Sequence, residues 1–157
     1  MILENLKNIH LAADHAGFAH KEEILNWLQS SIYRVIDHGA FSNQPLDDFP
    51  DFIVPAVQSV SRSVSDSCAI VFGGSGQGEA MAANRFPKIR ATVYYGGNTE
   101  IISLSRKHND ANVLAIGARF VSVEETKKII TSWLSVPVDS DEKYHRRNLK
   151  LSNLSNL

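Results

Sequence analysis

The sequence contains one cysteine, Cys68, among its 157 residues. A single thiol excludes an internal disulfide and any metal site built from several cysteines. Charge of either sign is not in excess, with 16 basic and 17 acidic residues, so the composition gives no general affinity for nucleic acid or an anionic membrane. No apolar run approaches the roughly 18 residues of a membrane span, and no signal-peptide pattern begins the chain. We therefore expect a cytoplasmic protein that acts neither on nucleic acid nor in a membrane.

Five short apolar, β-branched runs alternate with segments whose apolar residues recur at helical spacing. This alternation predicts a five-stranded parallel sheet with helices on both faces, a doubly wound α/β fold. We expect one domain over residues 1–157, with the α/β core in 1–136 and a helical tail in 137–157 that packs on a partner subunit. In the fourth helix, the spacing places Ile101 and Leu104 on the buried face. The predicted strands are Asn8–Ala13, Tyr33–Asp37, Cys68–Phe72, Ile89–Tyr94 and Asn112–Ile116.

Polar residues follow two of the predicted strands at their carboxyl ends, where ligands bind in doubly wound sheets. Asp14 and His15 come after the first strand, and Arg119 comes after the fifth. Each has a plainer interpretation: Asp14 could cap the helix that begins near Gly17, and His15 and Arg119 could be solvated surface groups. Their convergence on an edge that also carries a glycine-rich loop favours a binding site.

The third predicted strand runs into the loop "GGSGQGEAMAANR", Gly73–Arg85. Its alternating glycines, Gly74, Gly76 and Gly78, would present backbone N–H groups to an anion. The dinucleotide fingerprint fits poorly, because Met81 stands where that motif needs glycine or alanine and no acidic residue ends the next strand. A P-loop is excluded because no Gly-Lys-Ser/Thr follows.

The loop also carries a carboxylate, Glu79, which a phosphate-binding loop would avoid. Its simplest role is that of an early-helix acid stabilised by the helix dipole. A carboxylate beside N–H donors is also what proton abstraction next to a carbonyl requires, because the base takes a carbon-bound proton while the donors hold the enediolate oxygen. The loop therefore indicates a catalytic site. Cys68, at the start of its strand, is typical of a small buried hydrophobe rather than a nucleophile.

Four segments along the chain carry a resemblance to a known family. They are "AADHAGF" (Ala12–Phe18), "GGSGQGEAMAANR" (Gly73–Arg85), "SRKHNDANVLAIGAR" (Ser105–Arg119) and "KYHRR" (Lys143–Arg147). In the same order they resemble ribose-5-phosphate isomerase B and the wider sugar-phosphate isomerase family that includes galactose-6-phosphate isomerase. The resemblance implies a doubly wound homodimer, in some members a dimer of dimers. It also implies interconversion of aldose and ketose phosphates without a metal or other cofactor.

The resemblance further implies a role for each matching residue. Asp14 and His108 would move protons during opening of the sugar ring, and Glu79 would transfer the proton between C1 and C2. Ser75 and the backbone of the loop Gly74–Gly78 would hold the enediolate. The residues implied to bind the substrate or its phosphate are His15, Gly74, Gly76, Gly78, Asn109, Arg119, Lys143 and Arg147.

Three positions depart from the family's commonest pattern. Many members have a cysteine base where this chain has Gly73, and the branch with glycine there carries a glutamate later in the loop, as Glu79 does here. The family's "DYP" is "DFP" in this chain, so Phe49 lacks a hydroxyl that usually reaches the substrate. In the tail, Lys143 replaces the usual arginine, and a shifted register would instead align His145 with the family histidine.

His108 also permits an argument from strand polarity alone. It precedes the fifth strand whereas Glu79 follows the third, so they belong to opposite ends of one parallel sheet. A strand of about five residues separates those ends by roughly 16 Å. If both residues act on one small sugar, the site is shared across a two-fold dimer. The simpler interpretation of His108 is a residue at a helix C-terminus, with Asn109 as its left-handed cap.

We therefore expect an aldose–ketose isomerase that converts ribose-5-phosphate to ribulose-5-phosphate. Other pentose or hexose phosphates, such as galactose-6-phosphate or allose-6-phosphate, are alternatives, as is a non-catalytic flavodoxin-like module that binds a phosphorylated ligand. His10, inside the first strand, is interpreted as a packed residue. His20 and His38 have no metal-ligand spacing with His15, so we expect no metal site.

Overall fold

A computed structural model describes residues 5–154, and the ends of the predicted domain, residues 1–4 and 155–157, lie outside them. The strands are β1 (Asn8–Ala13), β2 (Arg34–Asp37), β3 (Ser67–Gly73), β4 (Ala91–Tyr94) and β5 (Val113–Gly117). The helices are α1 (Phe18–Leu28), α2 (Pro50–Arg62), α3 (Gln77–Ala83), α4 (Glu100–Lys107), α5 (Val123–Ser135) and α6 (Glu142–Asn153). The strands pair in parallel in the order β2-β1-β3-β5-β4. The predicted doubly wound α/β fold with a helical tail is confirmed.

All five predicted strands are present, and the largest shift of an end is in β4. That strand was expected to begin at Ile89, yet its ladder begins at Ala91. Side chains take the N–H groups that would extend the ladder: Arg90 N–H donates to Asn112 Oδ1 and Ala91 N–H to Asn84 Oδ1, both at 2.8 Å. The side chains of Asn84 and Asn112 therefore set the first residue of β4, whereas apolar periodicity alone would start the strand two residues earlier.

The central strands separate two apolar clusters, one on each face of the sheet. Every residue of β3 and β5 is buried. Phe72 and Ile116 belong to the cluster under α1, α4 and α5, whereas Val71 and Ala115 belong to the cluster under α2 and α3. Burial on both faces is typical of parallel strands covered by helices. It makes the centre of the sheet a fixed base for the loops that leave it.

The α4 helix buries a different face from the one that its spacing predicts. Ile101 is 55% exposed, whereas Ile102 is fully buried. The prediction for Ile101 was therefore wrong, because two adjacent isoleucines leave the phase of so short a helix undetermined. Among the helices within residues 5–154, none combines the length and apolar character that crossing a membrane requires.

The direction in which the chain adds strands to the sheet reverses between β1 and β3, which are neighbours in the sheet. From β1 the chain moves outward to β2, and from β3 the later strands lie on the opposite side. The loops after β1 and β3 therefore diverge to opposite faces and leave a crevice between them at the carboxyl edge. Asp14 and His15 follow one strand, and Gly74 follows the other, so the fold brings together the two predicted halves of the site.

Two histidines, one buried and one partly buried, form a pair away from this crevice. His10 Nδ1 and His38 Nε2 lie 2.8 Å apart, and His10 is only 6% exposed, which confirms it as a packed residue. Burial lowers the pKa of His10 to about 4, with the charges of His38 and Arg34 acting in the same direction and Asp66 opposing them. Burial also lowers the pKa of His38, against the charge of Asp37.

We predict that this pair contributes to acid unfolding. Both folded pKa values lie below the ordinary value of 6.5, so the unfolded chain binds these protons first. The neutral pair contributes its full stability above pH 6.5, and that stability is lost as the pH falls toward 4. In a His10→Gln/His38→Gln variant, the decrease in unfolding free energy from pH 7 to 4.5 should be smaller by about 2 kcal/mol. Urea unfolding at both pH values measures it.

The control replaces His145, which is exposed on α6, by glutamine. This variant should lose as much stability between pH 7 and 4.5 as the wild type. An equal pH-dependent loss in the double variant would show that the pair does not titrate on unfolding.

Candidate active site

The glycine-rich loop after β3 lies against the chain that leaves β5. Gly76 has a φ of 77°, and a Cβ there would lie 3.1 Å from backbone atoms of Ile116 and Gly117. A Cβ on Gly117 would in turn lie 2.8 Å from the carbonyl oxygen of Ser75. This close approach requires glycine at both positions. The contact between the two backbones holds the loop in one position at the carboxyl edge of the sheet.

The same contact places Arg119 beside the loop. Ala118 N–H donates to Gly73 O at 2.8 Å, and Arg119 N–H donates to Gly74 O at 3.2 Å. The guanidinium lies 3.2 Å from where a Cβ on Gly74 would be. An exposed cation therefore stands at the rim of the loop, where it can meet an anionic ligand.

The carboxylate of Glu79 lies directly above Gly73. Glu79 is in the first turn of α3 and is 4% exposed. A Cβ built on Gly73 would come 2.0 Å from Glu79 Oε1 and 2.1 Å from its Cδ. Any side chain at position 73 would therefore displace the carboxylate. Glycine at 73 and glutamate at 79 are thus two parts of one arrangement.

Burial gives this carboxylate the character of a proton acceptor. Desolvation raises the pKa of Glu79, and the charge of Asp14 raises it further, whereas the hydrogen bond from its own backbone amide lowers it. A carboxylate whose pKa is raised binds a proton more strongly, which suits a group that accepts one. The early-helix role is also fulfilled, because Glu79 stands where the helix dipole favours an acid.

Asp14 supports the turn after β1 and also faces the site. Its Oδ1 accepts hydrogen bonds from Ala16 N–H at 2.9 Å and Gly17 N–H at 3.1 Å, so it orders the turn that leads into α1, whereas the N-cap of that helix is Gly17 and has no side-chain cap. Its Oδ2 lies 3.9 Å from His15 Nδ1. One oxygen therefore orders the start of α1, and the other faces the ring beside it.

The structure adds Asp47, which the sequence analysis missed. Its Oδ1 lies 2.6 Å from His15 Nδ1 and accepts from His15 N–H at 3.0 Å. Within residues 5–154, Asp14, His15 and Asp47 are the set of potential metal ligands whose atoms lie within 4.8 Å of one another. Because the Asp47 carboxylate is hydrogen-bonded to Nδ1 of His15, this geometry favours an imidazole ring held in one orientation over a metal centre. Asp47 lies 32 residues from His15, and no spacing rule connects them.

Two other predicted positions line the loop. Ser75 is exposed, and its Oγ accepts weakly from Gln77 N–H at 3.4 Å. The ring of Phe49 lies 3.1 Å from where a Cβ on Gly78 would be. Phe49 therefore forms an apolar wall beside the glycines. Cys68 is fully buried and burial raises the pKa of its thiol to about 12, which confirms the prediction that it is not a nucleophile.

His108 and Asn109 stand at the amino end of β5, away from Glu79. The prediction of Asn109 as a left-handed cap was wrong, because the residue with positive φ (47°) is Asp110. The Asp110 carboxylate is held at 2.9 Å by both Arg90 and Arg106, and these ion pairs fix the turn. The separation expected from strand polarity is therefore present within one subunit.

The tail helix α6 covers His108 of its own chain. The rings of His108 and Tyr144 stack with centroids 4.1 Å apart and 10° between planes. Asn148 Nδ2 donates to His108 O at 3.1 Å. Lys143 Nζ and Arg147 Cζ lie 4.7 and 6.0 Å from the centre of the Tyr144 ring. The fold thus collects the basic tail residues around His108, at the far end of the sheet from Glu79.

We predict that Glu79 lowers the stability of the fold at neutral pH. Its folded pKa is raised, so the ionised form is disfavoured in the native state, and stability falls as the pH rises through that pKa. Glu79→Gln should increase the unfolding free energy at pH 8 by on the order of 1 kcal/mol. The gain should vanish well below the ordinary pKa of 4.5, where the carboxyl is protonated in both states. Glu100→Gln, an exposed first-turn acid of α4, is the control and should show no such gain in thermal unfolding.

Known proteins are similar to this chain over most of its length. The profile of a family described as ribose/galactose isomerase matches residues 9–151. Ribose-5-phosphate isomerase B of Mycolicibacterium paratuberculosis is 38% identical over 141 residues, covering 88% of this chain and 86% of that protein. The Escherichia coli enzyme of the same name is 36% identical over 141 residues, covering 90% of this chain and 92% of its own.

Solved structures give the same result. The crystal structure of ribose-5-phosphate isomerase B from Mycoplasma genitalium, with bound ribulose-5-phosphate, has a TM-score of 0.89 and 30% identity, covering 95% of this chain and 96% of its own. A Clostridium thermocellum structure has a TM-score of 0.87 and 34% identity, covering 95% and 97%. With the predicted resemblance confirmed by both sequence and fold, the chain belongs to the ribose/galactose isomerase family of sugar-phosphate isomerases.

Proposed function

We propose that this protein interconverts ribose-5-phosphate and ribulose-5-phosphate, with Glu79 as the base. The observation that carries the proposal is the buried carboxylate above Gly73, beside a glycine loop whose backbone approaches β5 too closely for any side chain. The relatives named for this reaction are similar over most of the chain. Burial and the neighbouring Asp14 raise the pKa of Glu79, which suits a group that accepts and returns a proton.

The reaction needs two proton transfers on the open-chain sugar. Glu79 removes the proton from C2 of the aldose, and the electron pair forms the C1–C2 double bond while the carbonyl oxygen on C1 gains negative charge. Backbone N–H groups of the loop Gly74–Gly78, with the Ser75 hydroxyl, stabilise that oxygen. Glu79 then delivers the proton to C1, and the proton of the C2 hydroxyl moves to the C1 oxygen, so that the C2 oxygen becomes the ketone and the C1 oxygen ends as a hydroxyl. No redox partner is required, because the oxidation at C2 balances the reduction at C1.

Ring opening and phosphate binding require both ends of the sheet, so we propose a two-fold dimer with shared sites. Asp14 would take the proton of the anomeric hydroxyl while His108 of the partner subunit protonates the ring oxygen. Within one subunit these residues lie at opposite ends of the strands, roughly 16 Å apart along the strand direction. His15 and Arg119 would bind the phosphate from one chain. Asn109, Lys143 and Arg147 of the partner subunit would complete the binding site.

The pocket wall at Phe49 bears on which sugar is used. Its ring contacts the loop near Gly78 and offers no hydroxyl to a substrate oxygen. Assays of ketose formation from ribose-5-phosphate, galactose-6-phosphate and allose-6-phosphate distinguish pentose from hexose activity. Exchange of the C2 proton with solvent separates an isomerase from a module that only binds phosphorylated ligands, because binding alone cannot exchange a carbon-bound proton.

We predict that Glu79→Gln lowers kcat for ribose-5-phosphate isomerisation by at least about 10²-fold, the usual contribution of a general base. Glutamine keeps the shape of the side chain but cannot accept the proton, so calorimetric binding of ribose-5-phosphate should remain. Glu100→Gln serves as the matched control, since it changes a first-turn glutamate that is exposed on α4. Activity near the wild-type value in Glu79→Gln would assign the base to another residue.

A second prediction tests the shared site. Glu79→Gln and His108→Ala homodimers should each be nearly inactive, because every site lacks one essential group. In a mixed dimer, one site carries both defects and the other carries neither. Random pairing makes half the dimers mixed, so co-expression should restore about a quarter of wild-type activity.

The two chains must be produced together, because a tight interface does not exchange subunits quickly. Mixed dimers are isolated through two different tags, and their activity is compared with that of each homodimer. If the isolated mixed dimers are inactive, His108 does not act across the interface, and its stacking on Tyr144 would be a structural contact alone.

A further inference from the structure

We propose that Asp47 is a positioning residue. It fixes the ring of His15 so that Nε2 points toward the phosphate of the sugar. The inference rests on the proposed function, in which His15 binds that phosphate. Neither the sequence motifs nor the family resemblance points to Asp47. What identifies Asp47 is that its Oδ1 makes two contacts with His15, although the two residues are 32 positions apart in the sequence.

The two contacts fix both the backbone and the ring of His15. Asp47 Oδ1 accepts from His15 N–H at 3.0 Å and lies 2.6 Å from His15 Nδ1. A carboxylate oxygen only accepts hydrogen bonds, so Nδ1 carries the proton that it donates. The other ring nitrogen, Nε2, is therefore the one left for a ligand, and it must carry a proton of its own when it donates to a phosphate oxygen, which only accepts. The ring keeps 30% of its surface exposed, whereas the Asp47 side chain keeps 9%.

Asp47 is itself held in place by the chain around it. Its backbone N–H donates to Gln44 O at 3.0 Å, which closes a turn just before α2 begins at Pro50. Phe49, two residues later, packs beside the glycine loop. The turn and the helix therefore bring the carboxylate to His15 from the opposite side of the crevice to α1.

The second oxygen of Asp47 argues for a role beyond stability. Oδ2 is buried and has no hydrogen-bond partner among residues 5–154. A buried, unpartnered carboxylate oxygen is unfavourable for folding. Asparagine at this position would keep the Oδ1 acceptor without a buried charge. A carboxylate at this cost is expected where it strengthens a hydrogen bond that the function uses, here the charge-assisted contact to the His15 ring.

The test is a double-mutant cycle on KM and kcat for ribose-5-phosphate. Asp47→Ala should raise KM about tenfold or more, as loss of a ligand-orienting partner does, and change kcat by less than about threefold. In a His15→Ala background, the same replacement should raise KM by less than twofold, because the ring through which Asp47 acts is gone. Asp47→Asn should recover part of the lost affinity, since its Oδ1 still accepts both N–H groups but lacks the charge that strengthens the contact to the ring. Asp51→Asn, an exposed acid in the first turn of α2, is the matched control and should leave KM unchanged.

Calorimetry separates this inference from the proposed function. Ribose-5-phosphate is titrated into Glu79→Gln and into Glu79→Gln/Asp47→Ala, so that binding is measured without turnover. A tenfold loss of affinity in the second variant supports the role of Asp47 whether or not the wild type isomerises this sugar. An equal affinity, an undiminished effect in the His15→Ala background, or an Asp47→Asn variant as weak as Asp47→Ala would each overturn it. If Asp47→Ala does not fold, the Asp47→Asn variant alone decides, since a KM more than fivefold above wild type contradicts the proposal.

Discussion

One steric constraint organises the site: the carboxylate of Glu79 fills the space that a side chain on residue 73 would need. A Cβ at position 73 would lie 2.0 Å from Oε1, so the base and the absence of a side chain below it depend on each other. The carboxylate reaches that position because α3 starts immediately after the loop and lies close to the sheet. Ala80 and Ala83 of α3 are buried against the small residues of β3 and β5, and larger side chains there would hold the helix farther away.

The same close packing explains why the pKa of Glu79, the proposed base, is raised. Because α3 packs against the sheet, Glu79 is shielded from water and is 4% exposed. The resulting desolvation raises its pKa. Asp14, on the neighbouring loop, adds a second negative charge that acts in the same direction. Packing that is ordinary for a parallel sheet thus gives the carboxylate a property that a surface glutamate in the first turn of a helix would lack. The loss of native stability predicted for the ionised carboxylate is of the kind that active sites commonly show.

Sequence periodicity predicted the strands, the sheet and the loop because these depend on local patterns that repeat along the chain. It failed where the outcome depended on contacts between distant residues. The phase of α4 could not be chosen between Ile101 and Ile102, and the left-handed residue was Asp110 rather than Asn109 because two arginines hold its carboxylate. Asp47 was invisible for the same reason, since only the folded loop brings it to His15. The roles assigned to the site residues come from resemblance and geometry together, and they stay predictions.

The two ends of the sheet are built by different means, and this difference supports a divided site. At the carboxyl edge, glycine contacts and short turns fix Glu79 and Asp14 within a few residues of their strands. At the amino edge, His108 is fixed by long-range contacts, through the stacked ring of Tyr144 and the carboxamide of Asn148. A single chain orders both sets of groups but cannot bring them together, because the strands between them are rigid and fully buried. In the proposed dimer, two copies related by a two-fold axis place each end against the other, so that His108, with Tyr144 of its own tail helix stacked on it, faces the glycine loop of the partner subunit.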